Sequence, residues 1–328
     1  MPGIQVLFLT EVLAIFIPMT IPIVHHPAYC AELPTSHRFP MDKFRAVAEL
    51  IRSEGLLPGQ GFIRPRPAPA EWVALAHDLS YVDQVFSANV PDEIAREIGF
   101  PMKEDIALRA RCATGGTVLT GYLALEHGLA CNTAGGSHHA RRSHGAGFCV
   151  FNDVAVAIRV MQADGAIRKA LVVDLDVHQG DGTADIFAMD DSVFTFSMHA
   201  EKNYPVRKVP SDLDIALPDE TGDSEYLSDL KRLLAHVVER AQPDIVFYNA
   251  GVDPFGGDKL GRLNLSREGL RLRDRFVLEL LREKRLPVAG VLGGGYSTDI
   301  VELADRHVTL HREAARVAEH ERAAAAGA

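Results

Sequence analysis

Short apolar runs alternate with amphipathic stretches along most of this chain. In "FRAVAELI", Phe44, Val47, Ala48 and Ile51 fall at i, i+3, i+4 and i+7, the spacing of one helix face, and Gly55 can end that helix. Apolar runs predict strands at 21–25, 129–133, 170–176, 192–199, 244–251 and 287–295. Helical patterns at roughly 104–127, 152–164, 222–240, 266–284 and 299–320 lie between most of them. Apolar strands alternating with helices predict an α/β architecture, a mainly parallel central sheet with helices on both faces. No Gly/Ser linker, repeat or composition break interrupts residues 21–320, so one domain of about 300 residues is expected, followed by a fraying Ala-rich tail at 321–328.

The beginning of the chain is different. "MPGIQVLFLTEVLAIFIPMTIPIV" is apolar, but no Lys or Arg precedes the run, Glu11 interrupts it, and Pro18 and Pro22 follow. That fits neither a signal peptide nor a membrane span. Residues 1–20 are expected to be an extension ahead of the domain, of the kind an over-long start assignment produces, with Met19 as a natural start.

Composition narrows the function. Of 328 residues, 47% are hydrophobic, enough for a soluble protein with a real core. The formal charge of −10 and the lack of a Lys/Arg run argue against a nucleic-acid partner. Cys30, Cys112, Cys131 and Cys149 lack CxxC spacing, so they are expected to be reduced thiols, and the location cytoplasmic.

The polar clusters carry the chemistry. "GGSHHARRSHGAGF", "DLDVHQGDG", "AGVDPFGGDKLG" and "GGGYS" each follow a predicted strand. Charged or Gly-rich loops at strand carboxyl ends are where α/β sheets place ligands, so the four are expected to converge. Asp176 and His178 offer a carboxylate and an imidazole from one strand end, and Asp253 can supply a second carboxylate. Such an O/N set without cysteine describes an open catalytic zinc site, and iron(II) also accepts it. An isolated D-x-H can equally be a buried hydrogen-bonded pair; the third acid and the double histidine favour a metal. His138 and His139 are candidate bases for activated water, with Asp174 and Asp181 the nearest acids to orient them. Tyr296, after three glycines, can donate to a developing oxyanion or simply pack. His144 is expected to be peripheral. The glycines lack the spacing of a phosphate or dinucleotide loop.

With those motifs in view, the chain resembles the histone deacetylase superfamily. The likeness rests on "GGSHHARRSHGAGFCVFNDVAVA", "LVVDLDVHQGDGT", "YNAGVDPFGGDKLGRLNLS" and "LGGGYS", and runs from about residue 21 to 310. "HHPAY", "HRFPMDKF" and "SMHAEKNYPVRKVPSDLDIALPDETGDSEYL" further resemble the class IV branch and its bacterial relatives. The resemblance implies the arginase/deacetylase fold, with one catalytic Zn2+ on Asp176, His178 and Asp253. It implies His139 as general base paired with Asp181, His138 as electrostatic catalyst paired with Asp174, and Tyr296 polarising the amide carbonyl. Gly147 and Phe148 would line an acyl-lysine tunnel. Structural K+ would sit among Asp174, Asp176, His178, Ser197 and Met198, and a second near Phe187 and Val193. Gln179 departs from class I, where a histidine is common, and is compatible with class IV.

The implied activity is hydrolysis of N-acyl amides on lysine side chains of proteins or peptides, extending to long acyl chains; acetylpolyamines or other small amides are the alternative substrates. No membrane partner is expected. A two-manganese ureohydrolase shares the fold but needs more Asp/His ligands than the chain offers. A non-catalytic binding protein is a further reading, against which every catalytic position is filled.

Overall fold

The computed structural model describes residues 21–34 and 36–326; the expected extension at 1–20 lies outside the described residues. Seven strands form one parallel sheet: β1 (Ile23–Val24), β2 (Leu129–Asn132), β3 (Ala170–Asp174), β4 (Val193–Ala200), β5 (Leu213–Leu217), β6 (Ile245–Asn249) and β7 (Val288–Val291). Their order is β1-β2-β7-β6-β3-β4-β5. The inner strands β2, β3, β6 and β7 are buried throughout, which is why each reads as an unbroken apolar run.

Helices surround this sheet. The longest of the inner ones, α5 (Glu104–His127), packs on β2, β6 and β7 beside α6 (Asp153–Ala163). The amphipathic helix α1 (Lys43–Ser53) buries Phe44, Val47, Ala48 and Ile51, as its spacing requires. It lies against α10 (Ile300–Ala326), which continues through the Ala-rich segment. Two more long helices, α8 (Asp223–Ala241) and α9 (Arg267–Glu283), complete the set expected from periodicity.

The sequence pattern did not show α2 (Ala70–Val73), α3 (Leu79–Phe86), α4 (Asp92–Ile98), α7 (Asp181–Phe187) or β5. The helices among these are at most eight residues long, too short for a periodic signal. Strand β5 is a sheet edge and is mostly half-exposed, so its run "LDIAL" carries an acid, Asp214, at its second position.

Strand β3 also ends two residues before its expected limit. Leu175 N still donates to Asn249 O (3.1 Å), but past it the amides turn to carboxylates: Asp176 N donates to Asp174 Oδ1 (3.2 Å), Val177 N to Asp253 Oδ1 (2.9 Å) and His178 N to Asp176 Oδ1 (2.9 Å). Three consecutive amides thus fold the chain around acidic side chains, at the carboxyl edge of the sheet.

Candidate active site

The four polar loops do meet at that edge. Ligand atoms of Asp176, His178 and Asp253 lie within 4.8 Å of one another, and all three residues are buried. Asp176 Oδ1 is 3.0 Å from His178 Nδ1, and Asp176 Oδ2 accepts the Gly294 amide at 2.6 Å. A side chain at Gly294 would press on both carboxylates, so the fourth loop closes on the cluster only as glycine. Asp253 Oδ1 is used by the Val177 amide, and Asp253 Oδ2, which makes no well-aligned hydrogen bond, lies 3.2 Å from His178 Nδ1. Two buried carboxylates thus share one imidazole nitrogen, a concentration of negative charge that a bound cation would balance. One imidazole and two carboxylates suit zinc or iron(II).

Two histidine–carboxylate pairs flank the cluster. His138 Nδ1 lies 2.6 Å from Asp174 Oδ2, and His139 Nδ1 lies 2.6 Å from Asp181 Oδ1. Both rings line one cavity, and His138 Nε2 lies 3.7 Å from Asp176 Oδ1. The shared turn "GGS" is tied down by Asp153 at the start of α6, which accepts from Gly136 N (3.1 Å) and Ser137 N (2.7 Å).

Environment drives the two imidazoles apart. Burial disfavours the His138 cation, but the carboxylates of Asp174 and Asp176 outweigh it and hold the group up at about 9. Burial and the neighbouring His138 charge depress His139 to about 4 against the pull of Asp181. His178 is raised to about 10: burial opposes its cation, and Asp176 and Asp253 override burial. Burial, then the Asp253 charge, keep the Tyr296 phenol protonated far above its ordinary range.

Gly147, Phe148, Cys149, His138, His139, Asp176, Gly294 and Tyr296 share a cavity of about 40 Å³, room for about three waters by that measure. Phe148 is a non-glycine residue at φ +66°, a conformation concentrated at functional sites, held by its amide on Ile98 O at 2.7 Å. Gly147 must be glycine, since a Cβ would contact the His139 ring. Phe39 and Tyr296 also line a groove of about 1000 Å³ on the other side.

Residues 37–311 match the histone deacetylase domain family. The chain belongs to the histone deacetylase family. It is 32% identical over 288 residues to histone deacetylase 2 of Arabidopsis thaliana, covering 84% of this chain and 74% of that one. A protein of Picosynechococcus sp. is 46% identical over 296 residues, 90% of this chain and 99% of its own. The solved HDA15 HD domain superposes with a TM-score of 0.76 at 23% identity, covering 90% of this chain and 89% of that one; it supports the fold. Family membership makes this histone deacetylase relative an amide hydrolase of the arginase/deacetylase fold. The family is zinc-dependent, and Asp176, His178 and Asp253 are its candidate cluster here.

The remaining expected residues are spread around this centre. Ser197 lies on β4 directly beside Asp174 on β3, and Met198 follows it, buried. Phe187 ends α7 and Val193 opens β4. His144 sits at the margin, 3.5 Å from Glu97. Among the described residues, no helix is long and apolar enough to cross a membrane.

Sequence reasoning missed the supports. Arg141 donates to Asp181 Oδ2 at 2.8 Å, Asn249 donates to Asp174 Oδ1 at 2.9 Å, and Tyr204 stands edge-on to His139 at 4.8 Å between ring centroids. Tyr204 had a signal, an aromatic before proline just beyond β4. Arg141 and Asn249 had none, because both act through acids distant in the chain.

Proposed function

We propose that this protein is a class IV-like, zinc-dependent lysine deacetylase or deacylase, hydrolysing N-acyl amides on lysine side chains of proteins or peptides. The observation that carries the reading is one cavity lined by two oppositely tuned histidines, Tyr296 and Asp176, the last of which belongs to the buried Asp176–His178–Asp253 cluster. A zinc ion held by the three ligands would supply Lewis-acid polarisation of the amide carbonyl and acidify water. His139, neutral through burial, takes a proton from the attacking water at Nε2 while Asp181 fixes its Nδ1 proton. His138, kept cationic against burial by Asp174, stabilises the developing negative charge, and a protonated histidine delivers a proton to the leaving amine. Tyr296 donates its phenol proton in a hydrogen bond to the oxyanion. Phe148 and Gly147 wall the acyl-lysine path.

The likeness adds structural potassium beside Asp174, Asp176, His178, Ser197 and Met198, and near Phe187 and Val193, which elemental analysis of the purified protein would detect. Free cysteines at all four positions support a reducing, cytoplasmic setting.

The test is turnover on lysine peptides and polyamines bearing acyl chains of graded length, before and after chelation and zinc re-addition. Lysine peptides should turn over, lose activity with the metal and regain it. A metal-loaded protein inert on the whole panel would sink the reading, and activity confined to polyamines would move the substrate class. The class IV likeness expects kcat/KM to rise beyond acetyl, since each buried CH₂ contributes about 0.8 kcal/mol. A cavity of about 40 Å³ holds no long chain as it stands, so that rise requires the chain to pass Phe39 into the neighbouring groove. A steep fall with length confines the enzyme to short acyl groups.

A further inference from the structure

The position of Tyr296 is set from outside its own loop. Its ring meets Phe148, His178 and Phe39 with centroids 6.0, 6.1 and 6.3 Å away, contacts that leave its tilt adjustable. Its peptide unit is gripped more tightly. Asp258 is buried and uses both carboxylate oxygens: Oδ1 accepts from Leu260 N (2.9 Å) and Gly261 N (3.2 Å), and Oδ2 accepts from Tyr296 N (2.7 Å). The next residue completes the grip, Lys259 N donating to Tyr296 O at 3.1 Å. At the other end of the same segment, Val252 N donates to Gly294 O at 2.8 Å. The loop that carries Asp253 is therefore cross-linked to the tyrosine's main chain on both sides. The bond from the Tyr296 amide to Asp258 is the shortest of these links.

We infer that Asp258 is a positioning residue that holds Tyr296 in register with the Asp176–His178–Asp253 cluster. The inference rests on the reading of Tyr296 as the oxyanion donor. Asp258 touches neither substrate nor the cluster's ligand atoms in this arrangement; it acts through the tyrosine amide. Its loss should leave the side chains that bind substrate and metal in place while displacing one hydrogen-bond donor.

The experiment is a double-mutant cycle with Asp258→Ala, Tyr296→Phe and the double variant. It reads kcat and KM on an acetyl-lysine peptide, metal content and melting temperature. Tyr296→Phe should lower kcat by about 10²–10³. Asp258→Ala should lower kcat by about 10–10², the effect of misplacing a catalytic group by an ångström, with KM and metal content near wild type. The double variant should then lose no more than Tyr296→Phe alone, because the positioned group is already gone. Losses that multiply, or a metal content that falls with Asp258, would overturn the inference. Full kcat in Tyr296→Phe would instead remove the oxyanion reading, and with it what Asp258 is proposed to position. If Asp258→Ala does not fold, Asp258→Asn keeps the shape but offers one acceptor where two are used. The same non-additivity is expected there, and an unchanged kcat overturns the inference.

Discussion

His138 and His139 are chain neighbours, each bound through Nδ1 to a buried carboxylate at 2.6 Å, yet they titrate in opposite directions. The distance to the partner therefore does not decide the charge. Asp174 belongs to the sheet end: its second oxygen takes a neutral amide from Asn249, and Asp176 adds another carboxylate 3.7 Å from His138 Nε2. Against burial and the weaker opposition of His178, His138 meets two negative charges. Asp181 opens α7, and Arg141 already occupies its other oxygen, so part of its pull is spent on the guanidinium. His139 also faces the His138 charge. What a carboxylate does to a histidine depends on what else holds that carboxylate. Groups so separated are the mark of an acid and a base working together.

Removing the proposed base, His139, should do most damage. His139→Ala is expected to lower kcat by about 10²–10⁴ with metal content unchanged, measured by steady-state kinetics beside elemental analysis. A loss no larger than for His138→Ala would erase the functional distinction between the two rings.

Asp174→Asn should break the comparison from the other side. With the nearer carboxylate gone, His138 should fall from about 9 toward its ordinary 6.5, so its protonated fraction at pH 8 drops about 30-fold, and kcat/KM with it. The variant's circular dichroism and melting temperature should show that it folds, and recovery of activity at pH 6 would show that protonation is what was lost.

The wild-type profile follows from the same directions. A base must be neutral, so activity falls as pH drops toward about 4; an acid must keep its proton, so activity falls as pH rises through about 9. Assays of kcat/KM between these limits should give a plateau, and a single-limbed curve would mean that only one ring titrates in the reaction.

The smallest change is expected from Arg141→Gln. Freed of the guanidinium, Asp181 should hold His139 more strongly and move the acid limb upward. Because the Arg141 side chain is 31% exposed, the effect on kcat/KM should stay within about fivefold. A larger loss would make Arg141 a substrate-binding residue rather than a partner of Asp181.

By itself, the sequence determined the class of fold and pointed to the polar loops that meet at the carboxyl edge of the sheet. Buried parallel strands leave unbroken apolar runs, and long helices leave a 3.6-residue period, so the inner sheet and α5, α6, α8, α9 and α10 were legible within a few residues. The loops announced themselves because glycine, histidine and aspartate at strand ends have few other uses. Local pattern could not give α2 to α4, α7 or the edge strand β5, whose stability comes from neighbours distant in the chain. Nor could it show that β3 stops at Asp174, since Asp253, 76 residues further on, takes the Val177 amide. The pairing of His138 with Asp174 and of His139 with Asp181 was available only by resemblance. Why the two rings would differ in charge was not available in the sequence. That depends on Asn249, Arg141 and Asp176 standing within a few ångströms of two particular carboxylates and one imidazole. Only the folded chain sets those distances, because electrostatic interactions between side chains act through space and not along the backbone.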